Sequence, residues 1–109
     1  MEIKEAQKQS FEVITNWCKK HDKTHDKNTV FPHLIEEVGE LARELHHHIN
    51  PWRQEPDKEK LAEEMADVLH RLFLLAEDNE INLEEAFIKN IEKCNQKINK
   101  QPQIKRGDN

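Results

Sequence analysis

The 109-residue chain lacks most of what β-rich, membrane-spanning or disulfide-linked proteins need. It has two glycines, four prolines and no tyrosine, whereas an all-β sandwich or barrel needs many turns and β-branched runs. No apolar run approaches the roughly 18 residues of a membrane span, and the charged N-terminus lacks the apolar stretch of a signal peptide. Cys18 and Cys94 lie far apart and form no CxxC pair. This cysteine usage is typical of a reduced, cytoplasmic protein.

The chain also has no excess of basic residues. Its 17 Lys and Arg against 22 Asp and Glu give a formal net charge of −5. This balance argues against nonspecific nucleic-acid binding, and it is too small per residue for a self-repelling disordered chain. A chain of this length forms one domain with one core. Because apolar residues make up only 35% of it, we expect another protomer to complete that core.

The sequence is rich in helical periodicity. Apolar residues at helical spacing predict helices over residues 2–20, 30–48 and 58–78. A fourth helix is predicted to begin at Asn82, an N-cap residue with a glutamate three positions later. The fold class is therefore predicted to be all-α, a four-helix bundle in a single domain over residues 1–101. Residues 102–109 are predicted to be a disordered tail.

A near-repeat links the second and third helices. The segment LIEEVGEL, which begins at Leu34, aligns with LAEEMADV, which begins at Leu61, at an offset of 27 residues. On each helix, the second glutamate lies at about 300° from the leading leucine and the next acidic residue at about 240°. Helices joined by a short loop usually pack antiparallel. Both pairs of carboxylates are therefore predicted to converge at one edge of the seam between the helices: Glu37, Glu40, Glu64 and Asp67.

Four converging carboxylates favour a metal site. They repel one another in a partly buried place, and a hard divalent cation removes that repulsion. Mg²⁺, with Mn²⁺ as a substitute, prefers such all-oxygen ligands. The alternative is an ordinary solvated helix face, which is the usual fate of a single ExxE motif. Two copies at matched phase beside matched apolar stripes favour the metal site.

At these residues the sequence resembles a known family. Glu36-Glu37-x-x-Glu40, followed after 23 residues by Glu64-x-x-Asp67, is similar to the EExxE…ExxD signature of the MazG-like, all-α nucleoside triphosphate pyrophosphohydrolases. The resemblance covers residues 30–97 and includes GELARE and LAEEMADVLHRLFLLA around the motifs. It implies Mg²⁺-dependent cleavage of a nucleoside triphosphate between its α- and β-phosphates, which yields the monophosphate and pyrophosphate.

The resemblance also implies roles for individual residues. The metal ligands would be Glu37, Glu40, Glu64 and Asp67. Glu37 and Glu64 would also belong to the catalytic set. Glu36 would join that set as a residue that orients the attacking water, because it lies at about 200°, away from the apolar stripe.

The fourth helix carries the candidate substrate-binding residues. Three lysines at i, i+4 and i+8 flank its apolar stripe, and an asparagine lies beside them; these are Lys89, Lys93, Lys97 and Asn90. They are expected to hold the triphosphate, and the alternative is a solvated lysine ridge. Where the family often has arginine, this sequence has Lys97, which keeps the charge and loses bidentate geometry.

Several other patterns have ordinary explanations. Three consecutive histidines, 46–48, diverge by about 100° each on a helix and cannot chelate one ion together. Glu44-x-x-His47 and Asp67-x-x-His70 resemble a di-iron carboxylate bundle, but both histidines are predicted to lie well off the seam. Three of the aromatic residues could stack on a nucleobase but are expected to pack in the core: Trp17, Phe31 and Trp52.

The sequence thus predicts an enzyme, a cytoplasmic nucleotide pyrophosphohydrolase with bound Mg²⁺. Its expected partners are a nucleoside triphosphate and further copies of itself, as a homodimer or homotetramer, with no nucleic acid and no membrane. The main alternative is a non-catalytic helical module that binds a nucleotide or a partner helix. The retained carboxylate set argues against this alternative, because a scaffold alone has no need to bring those charges together. A di-iron oxidase is the third hypothesis.

Overall fold

The computed structural model describes residues 1–52 and 55–104. The helices in this part of the chain are α1 (Ile3–Lys20), α2 (Val30–Ile49), α3 (Lys58–Asp78) and α4 (Leu83–Lys100), with a 3-10 turn over Lys27–Thr29 before α2. The predicted all-α class is confirmed, and α1 to α3 begin and end within one residue of the predicted bounds. Residues 102–104 have no regular structure. The rest of the predicted tail, residues 105–109, lies outside the described residues.

Side-chain caps fix the starts of α3 and α4. The Asp57 carboxylate accepts hydrogen bonds from the backbone N–H groups of Glu59 and Lys60, at 3.0 and 3.1 Å. The Asn82 side chain accepts one from the N–H of Glu85 at 3.2 Å, which confirms the predicted N-cap. Such caps satisfy N–H groups that have no partner within the helix. The Asp57 cap therefore fixes the residue at which α3 begins, before the turns that carry the ExxD motif.

Helices α2 and α3 form the central antiparallel pair, and α1 packs against α3. Glu37, near the start of α2, interacts with Asp67 on α3. Towards the end of α2, His48 Nε2 lies 3.1 Å from the carbonyl oxygen of Asp57. The two helices therefore run antiparallel: the start of α2 lies beside the middle of α3, and the end of α2 lies beside the start of α3. The buried apolar core of the described residues is small: Cys18, Val30, Leu34, Phe73, Leu74 and Ala76.

A buried glutamine connects α1 to the turn between α3 and α4. Gln7 Nε2 donates to Glu77 Oε2 at 2.8 Å and to the carbonyl oxygen of Ile81 at 2.7 Å. Gln7 Oε1 accepts from the N–H of Leu83 at 3.2 Å. Both N–H groups and the carbonyl oxygen of this amide are thus engaged, all by the end of α3 and the turn that leads into α4. This contact determines where α4 leaves the bundle.

Helix α4 is an arm rather than a fourth wall of the core. None of its residues is buried, and it packs mainly against α1. The radius of gyration is 18.8 Å, compared with about 13 Å for a compact domain of this length. Large apolar side chains of α4 are exposed, among them Phe87, Ile91 and Ile98. A single chain therefore leaves an extended apolar surface uncovered. No helix in the described residues has the length and apolar character to cross a membrane.

Candidate metal and nucleotide site

Carboxylates from both central helices converge at one edge of the α2–α3 seam. One oxygen each of Glu37, Glu40 and Glu64 lies within 4.8 Å of the other two. Asp67 lies one turn beyond Glu64, and its charge acts directly on Glu37. The structure thus brings three of the predicted metal ligands into one group and places the fourth beside it. We call Glu37, Glu40, Glu64 and Asp67 the acidic cluster.

Burial distinguishes the two glutamates of each pair. Glu64 is only 6% exposed, whereas Glu63 is exposed. Glu37 is half-buried, whereas Glu36 is exposed. The second glutamate of each pair therefore faces the seam, as the helical phase predicts. Glu36 lies at the solvent side of the cluster, next to Glu37.

The electrostatics of the acidic cluster favour a cation. Burial raises the pKa of Glu37, the negative charges of Glu40 and Asp67 raise it further, and Arg71 opposes the shift. Glu37 Oε2 and Glu64 Oε2 are buried and have no hydrogen-bond partner among the described residues. A buried oxygen without a partner is costly, and a divalent ion compensates both oxygens at once. The all-oxygen donor set fits Mg²⁺ or Mn²⁺.

The raised pKa of Glu37 predicts how metal-free stability changes with pH. The folded state binds this proton more tightly than the unfolded state, so its contribution is fully present below the ordinary pKa of the group. That contribution is lost as pH rises through the raised value. In EDTA, Glu37→Gln should therefore gain stability relative to wild type as pH rises through this window, measured by urea unfolding.

The matched control is Glu36→Gln, which removes the same charge from an exposed neighbouring site. Its stability difference from wild type should change less with pH than that of Glu37→Gln. Parallel pH curves for wild type and Glu37→Gln would contradict the assignment of Glu37 to a crowded, partly desolvated cluster.

Two cations bracket the acidic cluster, and the sequence reasoning missed both. At one end, Lys60 Nζ lies 3.1 Å from Glu64 Oε1, and this hydrogen bond and charge raise the pKa of Lys60. At the other end, Arg71 acts on Glu37. Each cation lies one helical turn outside the ExxD motif of α3. This spacing would have identified both residues from the sequence. At the repeat offset of 27 residues, Lys60 aligns with His33, and Arg71 aligns with Glu44.

Comparison with known proteins identifies the family. The sequence profile of the MazG nucleotide pyrophosphohydrolase domain matches residues 24–101. The chain belongs to the MazG family. MazG proteins are generally nucleotide pyrophosphohydrolases that depend on a divalent metal. The matched part contains both acidic motifs and α4, while α1 lies outside it.

A relative of this MazG chain is the "Uncharacterized protein YpjD" of Bacillus subtilis (strain 168). The two are 42% identical over 64 residues, a stretch that covers 57% of this chain and 58% of the relative. The chain thus matches a little over half the length of that protein. No solved structure matches the chain at a significant level.

The candidate substrate-binding residues of the MazG chain make no described contact with the acidic cluster. Helix α4 exposes all of them and packs mainly against α1. Among the described residues, no hydrogen bond or ion pair joins any of them to the acidic cluster; the set comprises Lys89, Asn90, Lys93 and Lys97. A single chain therefore does not bring these residues and the carboxylates together.

A fifth acid extends the seam of the MazG domain beyond Glu40. Glu44 is 5% exposed, its Oε1 has no hydrogen-bond partner among the described residues, and its Oε2 lies 3.6 Å from His47 Nδ1. From its helical phase, His47 is predicted to lie well off the seam. The structure half-buries it beside Glu44, yet outside the acidic cluster. Glu44 follows Glu40 by four residues, so extending the same helix face by one turn would have predicted its position.

An open cavity of about 620 Å³ lies between α1, the connector and the central helix pair. Its walls come from α1, the connector, α2 and α3, and they include Trp17, Lys23, His33 and Arg71. None of the acidic cluster lines the cavity, but two lining residues are neighbours of Glu37: His33 lies one turn before it, and the charge of Arg71 acts on it. An aromatic ring and several donors offer chemistry suited to a nucleoside.

The expectation that Trp17, Phe31 and Trp52 pack in the core was wrong. Trp17 is 47% exposed and lines the cavity; its ring lies 4.6 Å from that of His21 and 5.3 Å from Lys23 Nζ. Phe31 and Trp52 are also exposed. Packing requires neighbouring apolar surface, and the polar connector provides little of it around the end of α1.

Proposed function

We propose that this MazG chain is a Mg²⁺-dependent nucleoside triphosphate pyrophosphohydrolase that releases the monophosphate and pyrophosphate. The observation that carries the proposal is the convergence of Glu37, Glu40 and Glu64 across the seam, with buried oxygens that lack partners. Membership in the family supports the same activity. The free cysteines, Cys18 and Cys94, are compatible with the reducing cytoplasm that we propose as its location.

The acidic cluster would hold the metal ion. When bound, such an ion polarises phosphoryl oxygens and lowers the pKa of a coordinated water. In the net reaction, one water adds to phosphorus, and the bond that joins the α-phosphate to the β-phosphate breaks. Glu36, exposed beside Glu37, is proposed to orient the attacking water and accept its proton. Glu37 and Glu64 fix the geometry from the two sides of the seam.

The cations around the cluster suit a polyphosphate. Arg71 acts on Glu37 at one end of the acidic cluster, where it would offset the charge of bound phosphates. The cavity beside Arg71 is the proposed place of the nucleoside. The lysines of α4 would add further positive charge, provided that α4 reaches the cluster of another protomer.

The uncovered surface supports a homo-oligomer, a homodimer or homotetramer. The chain exposes 9115 Å², whereas a compact monomer of 13.0 kDa exposes about 6300 Å². A surplus of this size is what one protomer of an obligate assembly leaves uncovered. An apolar groove on α3 and α4, which includes Leu69, Leu72 and Phe87, belongs to this surface. We propose that α4 of one protomer delivers its lysines to the acidic cluster of another.

Mixed oligomers test whether the lysines act in trans. Glu64→Gln and Lys93→Met should each lack activity alone, because each removes a different part of the site. Once subunits have exchanged, a mixed dimer contains one intact site, so a 1:1 mixture should regain about a quarter of wild-type activity. The measurement is pyrophosphate release before and after exchange.

The matched control mixes Glu64→Gln with Asp67→Asn. Both changes lie in the same acidic cluster, so no mixed dimer contains an intact site and no activity should return. A monomer at micromolar concentration in sedimentation, or no recovery with Lys93→Met after proven exchange, would contradict the arrangement in trans.

The activity itself is tested by pyrophosphate release from a panel of ribo- and deoxynucleoside triphosphates with Mg²⁺. We expect one equivalent of monophosphate per pyrophosphate and no inorganic phosphate as a primary product. Nucleotide binding without turnover would instead support the non-catalytic module. Bound iron with an oxygen-dependent absorption band would support the di-iron hypothesis.

A further inference from the structure

Glu44 and Lys60 occupy facing positions just beyond the acidic cluster. Glu37 faces Asp67, and Glu40 lies against Glu64. In an antiparallel pair, the next turn of α2 faces the preceding turn of α3. Glu44 follows Glu40 by four residues, and Lys60 precedes Glu64 by four. The charge of Glu44 accordingly acts on Lys60.

The two groups differ in their freedom to move. Glu44 is almost completely buried, with one oxygen near His47 and the other without a partner among the described residues. The Lys60 side chain is 50% exposed and contacts Glu64 at 3.1 Å. Lysine is a flexible point charge with three donors, so it can change acceptors by rotation about its side-chain bonds. Glu44 is a fixed acceptor with one vacant oxygen.

We propose that Lys60 is a built-in counter-ion that pairs with Glu64 in the metal-free protein and transfers to Glu44 when a divalent cation takes Glu64. The inference rests on the proposed function, because it requires a metal at Glu64. Without Glu44, the displaced ammonium would remain beside the incoming cation and repel it. With Glu44, the same ammonium satisfies the buried oxygen of that carboxylate. Glu44 is thus a positioning residue that acts on the metal site through Lys60.

The proposal makes the effect of Lys60 depend on Glu44. We would titrate Mn²⁺ against wild type, Lys60→Met, Glu44→Gln and the double variant, and follow free Mn²⁺ by electron paramagnetic resonance. In the Glu44→Gln background, Lys60→Met should tighten Mn²⁺ binding about fivefold more than it does in wild type, near the upper range for a partly exposed ion pair. Any direct attraction between Glu44 and the ion cancels in this comparison.

Lys58 provides the control, since it is an exposed lysine in the same first turn of α3. Lys58→Met should change the Kd for Mn²⁺ equally in both backgrounds. Equal effects of Lys60→Met in the two backgrounds would overturn the proposal. Absence of Mn²⁺ binding by wild type would refute the metal site itself, and this inference with it.

A second measurement applies if Glu44→Gln does not fold. The ¹⁵N resonance of the Lys60 ammonium, identified by its loss in Lys60→Arg, can be followed in otherwise unaltered protein during a Mg²⁺ titration. Transfer to Glu44 should shift this resonance and keep it visible. Release to solvent should broaden it beyond detection, because ammonium protons then exchange rapidly with water, and that result would overturn the proposal.

Discussion

Glu64→Gln is expected to lower the rate of pyrophosphate release by roughly 100-fold or more, since even a small displacement of the reacting groups has effects of this size. Glu64 is the most buried carboxylate of the acidic cluster and joins α3 to the carboxylates of α2. A neutral amide in its place loses a metal ligand and removes the negative charge with which Lys60 pairs in the metal-free protein. The measurement is steady-state turnover at saturating Mg²⁺.

Glu63→Gln is the matched control for this experiment. It removes an identical charge from the adjacent residue, which is exposed, so its turnover should stay near wild type. On α2, Glu37→Gln should be as damaging as Glu64→Gln, while Glu36→Gln should fall in between if it orients water. Equal losses for Glu63→Gln and Glu64→Gln would refute the assignment of helical phase on α3.

Mg²⁺ or Mn²⁺ should raise the melting temperature of wild type by about 10 °C at 100 times the dissociation constant, from a linkage free energy of about 2.7 kcal/mol. The ion is expected to bind only the folded state, where it would offset the burial and the repulsion that raise the pKa of Glu37. Asp67→Asn should abolish this shift. Without metal, the same variant should be as stable as wild type or more so, because one repelling charge is removed.

Thermal unfolding in EDTA and in excess Mg²⁺ measures both quantities. Glu63→Gln should retain the full metal-dependent shift, since its carboxylate lies outside the cluster. An Asp67→Asn protein that keeps the wild-type shift would show that the metal binds elsewhere on the chain.

Helical periodicity predicted the fold and the convergence of the carboxylates because both depend on local rules. The phase of each helix follows from its apolar stripe, and a short loop makes α2 and α3 antiparallel. Together these rules bring Glu37 and Glu40 to Glu64. The positions of the two cations follow from the same rules. The acidic motifs do not include Lys60, however, so the motifs alone do not predict it.

The cavity and the position of α4 depend on contacts between distant residues. His25 on the connector lies 2.9 Å from Asp78 Oδ2, 53 residues away in sequence, and no local pattern predicts that pair. An amphipathic stripe predicts that α4 buries one face. It does not determine whether the covering surface belongs to the same chain or to another copy, and so the placement of Lys89, Lys93 and Lys97 could not be derived.

The repeat that builds the acidic cluster also gives the seam a direction. The two halves of the repeat match at the carboxylates. If they matched along their whole length, the two ends of the seam would be alike, and a linear anion could bind in either orientation. The halves differ one turn further out, where His33 and Arg71 lie at one end and Glu44 and Lys60 at the other. One end therefore carries the positive charge of Arg71, whereas at the other end the charges of Glu44 and Lys60 offset each other. If the proposed function holds, a nucleotide, whose own two ends differ, would therefore bind in a single orientation along the seam.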